Sequence, residues 1–250
     1  MKLLEIKNLA KAYGEHIVHR DINLELNEGE TLGLLGNSGT GKSVLLRSII
    51  GLEYIDTGEI RYKGRRIDKL TEEELFKVRV MISYAFQTGA LFDSVNVFEN
   101  LAYPLFEHTN DSLAEIDKKV NDLLDLIDLS GKGHLMPSDL SGGMRKRVGL
   151  ARSIIMNPDI ILYDEPTAGL DPVNVENIIR IVSKLKQRGA SSIFVTHDIP
   201  AAVKVCDRIV IIDQGKVAYQ GTPDDLMSSD DEIVARFFQV HSAEHPEGRV

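Results

Sequence analysis

One cysteine, Cys206, is all that the 250-residue chain carries, which excludes an internal disulfide and any site built from several thiolates. It precedes an apolar run, where a small buried hydrophobe is its expected role. Long apolar stretches are missing as well: none reaches the about 18 uncharged residues that a membrane-spanning helix requires. The first residues, Met1-Lys2-Leu3-Leu4-Glu5-Ile6, alternate like a strand and show no signal-peptide pattern. A cytoplasmic chain is expected, with any membrane role exercised through a partner. Basic charge is scarce: 29 Lys and Arg stand against 38 Asp and Glu, for a formal net charge of -9 and a pI near 5.3. That balance argues against a nucleic-acid partner, which needs a basic footprint. The run Arg145-Lys146-Arg147 is a local exception, and a solvated helix face is its expected role. Low-complexity linkers and internal repeats are absent too.

What is present suits one large α/β domain, with room for an inserted subdomain. Hydrophobic residues make up 43% and charged residues 27%, close to ordinary globular usage. Strand patterns fall at 2–9, 21–26, 31–35, 58–62, 80–86, 159–163, 191–196 and 207–213. Helical segments fall at Lys42 to Ile50 (stopped by Gly51), 173–188, 198–204 and 230–239. Strands alternating with helices predict a mainly parallel core sheet. Residues 98–156 read as almost wholly helical, an inserted α-helical subdomain. Within it Val120, Leu123, Leu124 and Ile127 share one helix face, and Gly131 and Gly133 are expected to end that helix. The domain is expected over 1–240, and residues 241–250 form a polar tail.

Gly36-Asn37-Ser38-Gly39-Thr40-Gly41-Lys42-Ser43 fits the phosphate-loop pattern in full. Its glycines let successive backbone N–H groups converge on phosphate oxygens, and the following helix aims its positive end at the same anion. Lys42 would reach the β and γ phosphates of ATP, and Ser43 would bind Mg²⁺. The second signal is Ile160-Ile161-Leu162-Tyr163-Asp164-Glu165, an apolar strand ending in two acids at the sheet edge where ligands bind. Asp164 suits the Mg²⁺ shell, and Glu165 suits a general base that polarises the attacking water. The third is Leu140-Ser141-Gly142-Gly143-Met144-Arg145-Lys146-Arg147. It opens a second helix N-terminus with bare backbone amides and a hydroxyl, and an ordinary serine cap is the plainer reading of those residues alone.

That third run resembles the signature motif of the ABC ATPases, P-loop NTPases whose fold combines a mainly parallel core sheet, an antiparallel β subdomain and an inserted α-helical subdomain. The resemblance implies that Ser141, Gly142 and Gly143 serve the ATP of a second copy, so that two chains sandwich two nucleotides head to tail. It also implies roles for Tyr13, which would stack on adenine, and Gln87, which would touch Mg²⁺ and the attacking water. Ala168-Gly169-Leu170-Asp171 matches the loop that crosses the dimer interface, and His197 matches the histidine that contacts the γ-phosphate. Met144 replaces the glutamine usual in the signature. A non-transport ABC protein is disfavoured, because the chain shows one cassette and no long heptad run. A binding-only module is disfavoured by the intact Lys42, Ser43, Asp164, Glu165 and His197.

The signature variant and the segment Phe86 to Asn100, followed by Tyr103-Pro104-Leu105, are similar to the ATPases of the Mla and wider MCE-protein systems. That resemblance implies phospholipid or lipid transport between bacterial membranes, with membrane permease subunits and an MCE-domain lipid-binding protein as partners. The chain would then sit at the cytoplasmic face of the inner membrane. An importer for another solute, such as an amino acid, is the alternative. Leu91, Phe92, Val95, Val97 and Phe98 give an apolar segment suited either to receiving a permease helix or to the subdomain's own core.

Overall fold

The structure is a computed structural model that describes residues 1–244, with side chains described through Gln239. In chain order its elements are β1 (Lys2–Tyr13), β2 (His16–Asn27), β3 (Thr31–Leu35), α1 (Lys42–Ile49), β4 (Thr57–Tyr62), β5 (Arg65–Arg66), α2 (Glu72–Met81), β6 (Ile82–Ala85) and α3 (Val97–His108). There follow α4 (Leu113–Leu126), α5 (Gly142–Ile154), β7 (Ile160–Asp164), α6 (Pro172–Gln187), β8 (Ser191–Val195), α7 (Ile199–Val205), β9 (Arg208–Asp213), β10 (Lys216–Gly221), α8 (Pro223–Met227) and α9 (Glu232–Glu244).

The strands form one sheet in the order β5-β4-β1-β2-β10-β9-β3-β8-β7-β6. From β9 to β6 every pairing is parallel, while β1, β2, β4 and β5 pair antiparallel. A parallel sheet is covered on both faces, so its strands read as unbroken apolar runs. β3, β7 and β8 are buried at every position. Alternation along them feeds two cores: Leu34, Leu162 and Ile193 face α1 and the antiparallel strands, while Leu35, Tyr163 and Phe194 face the helical layer. Tyr163 and Phe194 meet edge to face with centroids 5.8 Å apart. Cys206 is buried as expected, with its sulfur against Gly33, and burial pushes its thiol pKa up.

Several elements depart from the sequence reading. The strands expected at 2–9 and 21–26 grow into one long hairpin, turning at Gly14 with φ +60°. The strand expected from residue 80 starts at Ile82, because α2 runs through Val80 and Met81. α4 stops at Leu126, before Gly131 and Gly133. There Asp128 takes the left-handed conformation (φ +55°) and Leu129 N–H reaches the Leu124 carbonyl at 2.8 Å, a glycine-type stop made with aspartate. The solvated face expected for Arg145-Lys146-Arg147 is overturned at two positions. Arg147 is buried and donates to the Ile127 carbonyl at 2.6 Å, and Lys146 donates to the Ala168 carbonyl. α9 continues to Glu244, past the expected end at 239, and residues 245–250 of the tail lie outside the described residues. Phe237 is buried in the domain's own core and Phe238 packs against it.

Candidate functional site

The C-terminal ends of β3, β6, β7 and β8 lie along one sheet edge, and the loops leaving them carry the expected residues. The loop from Gly36 to Gly41 joins β3 to α1. Gly36 has no room for a side chain: a Cβ there would lie 2.7 Å from the Ile212 carbonyl oxygen and 2.8 Å from Thr40 Oγ1. Gly41 has φ +90°, and a Cβ there would strike Val18 and His19 from β2. Gly39 is positive in φ, Ser38 is exposed, and Thr40 Oγ1 donates to the Asn37 carbonyl at 2.9 Å. α1 begins with neither a side-chain cap nor an acid in its first turn. Its N-terminal amides are thus left for an anion.

Lys42 is buried, and its ammonium donates to the carbonyls of Gly36 at 2.7 Å and Asn37 at 3.0 Å. Burial pulls its pKa down, opposed by the charges of Glu165 and Asp164. Glu165 Oε1 lies 4.0 Å from Lys42 Nζ. On the other side His197 Nδ1–H donates to Glu165 Oε2 at 2.8 Å, which raises the histidine pKa. Glu165 itself has φ +49°. A non-glycine residue held there is strained, which is common where surrounding structure fixes a functional side chain. Its amide is anchored by the Val195 carbonyl at 3.0 Å.

Asp164, at the end of β7, is held from two sides. Ser43 Oγ donates to Oδ1 at 2.7 Å and Tyr84 Oη donates to Oδ2 at 2.6 Å. A hydroxyl beside a carboxylate at the phosphate-loop helix is an all-oxygen donor pair, the chemistry Mg²⁺ prefers. Among the described residues no group of three His, Cys, Asp or Glu could hold a metal. Two protein oxygens leave the remaining positions of an Mg²⁺ shell to phosphate oxygens and water. Gln87 lies two residues past the end of β6 and is exposed; none of the described hydrogen bonds ties it to Ser43 or Asp164. Tyr13 ends β1 with its ring 46% exposed and Lys11 Nζ 4.8 Å from the ring centre, leaving a flat aromatic surface open.

Ser141 caps α5, its Oγ accepting from Met144 N–H at 3.3 Å. Gly142 is exposed, and Gly143 is pressed by Asn174, so that an added Cβ would lie 2.3 Å from Asn174 Oδ1. Asn174 is itself fixed by Asp171, the cap of α6, which ties the end of the Ala168–Asp171 loop to the start of α5. Met144 is half-buried against the helical core, a packing role for its thioether. None of the described hydrogen bonds joins Ser141, Gly142 or Gly143 to the phosphate loop of the same chain.

A groove of about 310 Å³ lies where β6, α2, α3 and α5 meet, walled by Phe76, Tyr84, Phe86, Pro104, Arg152 and Met156. Of the apolar segment singled out in the sequence, Val97 is fully buried in the helical core, and Leu91 and Phe98 pack against that core. Phe92 is half-exposed, edge-on to Tyr103 at 5.1 Å and beneath the Arg152 guanidinium. The sequence reading missed Tyr84, Asn174 and Arg152. Tyr84 could have been flagged as a polar-tipped aromatic in a strand otherwise apolar at its ends.

A family model described as ABC transporter matches residues 19–168. The chain belongs to the ABC transporter family. It is the ATP-binding, ATP-hydrolysing subunit of an ABC transporter. This ABC ATPase is 37% identical over 241 residues to the intermembrane phospholipid transport system ATP-binding protein MlaF of Haemophilus influenzae, spanning 96% of this chain and 91% of that one. It is 39% identical over 235 residues to the probable ribonucleotide transport ATP-binding protein mkl of Mycobacterium leprae, covering 94% of this chain and 68% of the other. The methionine import ATP-binding protein MetN of Francisella tularensis is 38% identical over 241 residues, covering 94% and 69%. Among solved structures, the ATP-binding cassette MJ0796, a dimer in a post-hydrolysis state bound to ADP and Pi, matches with a TM-score of 0.82 at 33% identity, covering 88% of this chain and 99% of that one. The ABC ATPase fold expected from the sequence, with its parallel core and antiparallel part, is therefore borne out.

Proposed function

We propose that the chain drives phospholipid or other lipid transport between bacterial membranes, docked on permease subunits at the cytoplasmic face of the inner membrane and acting with an MCE-domain lipid-binding protein. The observation that carries this reading is the aromatic groove beside Phe86. The segment 86–105, which resembles the lipid-transport ATPases, lends it Phe86, Gly89 and Pro104, and the match to MlaF of Haemophilus influenzae runs over most of both chains. Apolar walls with half-exposed rings suit an amphipathic helix laid into a groove. Among the described residues no helix is long and apolar enough to cross a membrane, in keeping with attachment through a partner. Transport of ribonucleotides or methionine is the competing reading, carried by the similar identity to mkl and MetN.

In this reading residues 1–240 act as one nucleotide-binding domain. Tyr13 stacks on adenine, the amides of Gly36 to Gly41 cradle the phosphates, and Lys42 moves from the loop carbonyls to the β and γ oxygens. Ser43, Asp164 and Gln87 would hold Mg²⁺, which when bound would neutralise charge on the phosphates. Glu165 lies between Lys42 and His197, where it can accept hydrogen bonding from a water attacking the γ-phosphorus. Protonated, His197 can donate to the departing phosphate; Ser141, Gly142 and Gly143 of a second copy would close the site from above. The dimeric MJ0796 cassette supports that arrangement.

A tagged pull-down from detergent-solubilised native membranes, read by mass spectrometry, tests the assignment. Recovery of a multi-span permease with an MCE-domain protein is expected. Recovery of a permease with a solute-binding protein instead would transfer the chain to solute import.

A further inference from the structure

Tyr84 sits at a position to which the motifs give no role. β6 and β7 pair in parallel with Tyr84 opposite Leu162, so Tyr84 shares a sheet face with Asp164 two residues beyond. From there its hydroxyl reaches Asp164 Oδ2 while Ser43 holds Oδ1, and the carboxylate cannot rotate without breaking one bond or the other. The ring is supported from the other side by Phe86, tilted against it at 4.4 Å between centroids. Both rings wall the groove, and Phe86 is 44% exposed there.

We propose that Tyr84 is a positioning residue for the metal site: from the groove side, it fixes the orientation in which Asp164 presents oxygen to Mg²⁺. The proposal rests on the assignment of Asp164 to that ion. Partners that orient a ligating carboxylate contribute strongly, and their removal commonly costs 10–100-fold in metal affinity. A purely structural tyrosine–carboxylate tie exists in the same chain as a control. Tyr62 Oη donates to Asp159, at the opposite end of β7 from Asp164.

The test uses the full chain and a fluorescent ribose-labelled ATP analogue. Mg²⁺ is titrated at fixed analogue, and affinity without metal is measured in EDTA. Tyr84→Phe, which keeps the ring and removes the donor, is expected to raise half-saturating Mg²⁺ about 10-fold while leaving binding in EDTA unchanged. Tyr62→Phe is expected to lower the thermal midpoint without moving the Mg²⁺ response, and Asp164→Asn to move it at least as far as Tyr84→Phe. An unchanged Mg²⁺ response in Tyr84→Phe, with Asp164→Asn shifted, overturns the proposal alone. An unshifted Asp164→Asn removes the metal assignment and the proposal with it. Were Tyr84→Phe not to fold, Tyr84→His, which keeps a donor, would carry the same measurement with Mn²⁺ resonance as the readout: tighter binding than in Asp164→Asn is expected, and equal weakening overturns the proposal.

Discussion

Replacing Gly149 by alanine puts one methyl group where two backbones already touch. A Cβ on Gly149 in α5 would lie 2.5 Å from Gly89 Cα, 2.6 Å from its oxygen and 2.9 Å from its carbonyl carbon. Carbon atoms pack comfortably at about 3.5–4.0 Å, so helix and loop must separate by about 1 Å. The loop resists: Gly89 has φ +82° and sits over the Arg145 carbonyl, and Arg152 donates to the Ala90 carbonyl at 2.6 Å. Overpacking of this kind costs about 1–3 kcal/mol, and backbone atoms cannot swing aside as a side-chain tip can. Alanine returns up to about 1 kcal/mol through helix propensity. Gly142, at the start of the same helix, is the internal control, because a Cβ there meets nothing within 4 Å.

The two variants share the glycine-to-alanine exchange and differ in the clash. A difference of about 2 kcal/mol between them is expected. At about 2–4 °C per kcal/mol for a chain of this size, the Gly149→Ala midpoint should fall about 4–8 °C below that of Gly142→Ala. Thermal unfolding of the nucleotide-free proteins, followed by circular dichroism, measures it. Because Gln87 lies two residues before Gly89, ATP hydrolysis by Gly149→Ala should fall as well. Midpoints agreeing to about 1 °C would refute the close backbone approach as a stability determinant.

Glu165→Gln should bind ATP and hold a closed dimer while losing turnover by at least about 100-fold; size-exclusion chromatography with ATP shows it, and normal turnover would remove Glu165 from the base role. The His197–Glu165 bond raises the histidine pKa, so its stabilisation is complete below the ordinary histidine value and is lost as pH rises through the higher folded value. Midpoints taken from pH 5.5 to 8.5 should therefore show wild type above His197→Gln at the acid end, with the two converging towards the alkaline end; a constant gap contradicts the linkage. Arg147→Met should cost about 1–3 kcal/mol by orphaning the buried Ile127 carbonyl, where Arg145→Met, on the exposed side of the helix, should be near neutral in urea unfolding.

What the sequence made legible was contiguous. The phosphate loop, the Asp164-Glu165 pair and the signature run each state their geometry within a few residues, because strand, turn and helix start are local events. α2 escaped notice for the opposite reason. It buries only Leu75 and Val78, and its order comes from the Thr71–Glu74 capping box rather than from an apolar stripe. The stop of α4 was misplaced because glycine is the usual left-handed residue, yet Asp128 adopts that conformation here. Arg147 read as surface charge because nothing nearby in sequence shows that the Ile127 carbonyl lies over it. Tyr84 acquires meaning only from strand pairing. Its partner lies 80 residues away, and a shift of one residue in the β6–β7 register would turn the hydroxyl away from Asp164.

That register also shortens the route between groove and chemistry. Phe86 and Tyr84 face the groove, Tyr84 holds Asp164, and Gln87 leaves the same strand toward the site edge. Tyr84 thus touches docking surface and metal carboxylate together, with Phe86 beside it in the groove. A chain of relaying contacts across the domain is unnecessary when one edge strand carries both ends. β6 has four residues and one strand neighbour, β7. Pressure passed to β6 is therefore met on the sheet side by β7, the strand that ends in Asp164. Filling the groove should accordingly narrow the motion of the metal site, whose Ser43 at the start of α1 is itself bonded to Asp164 at the end of β7.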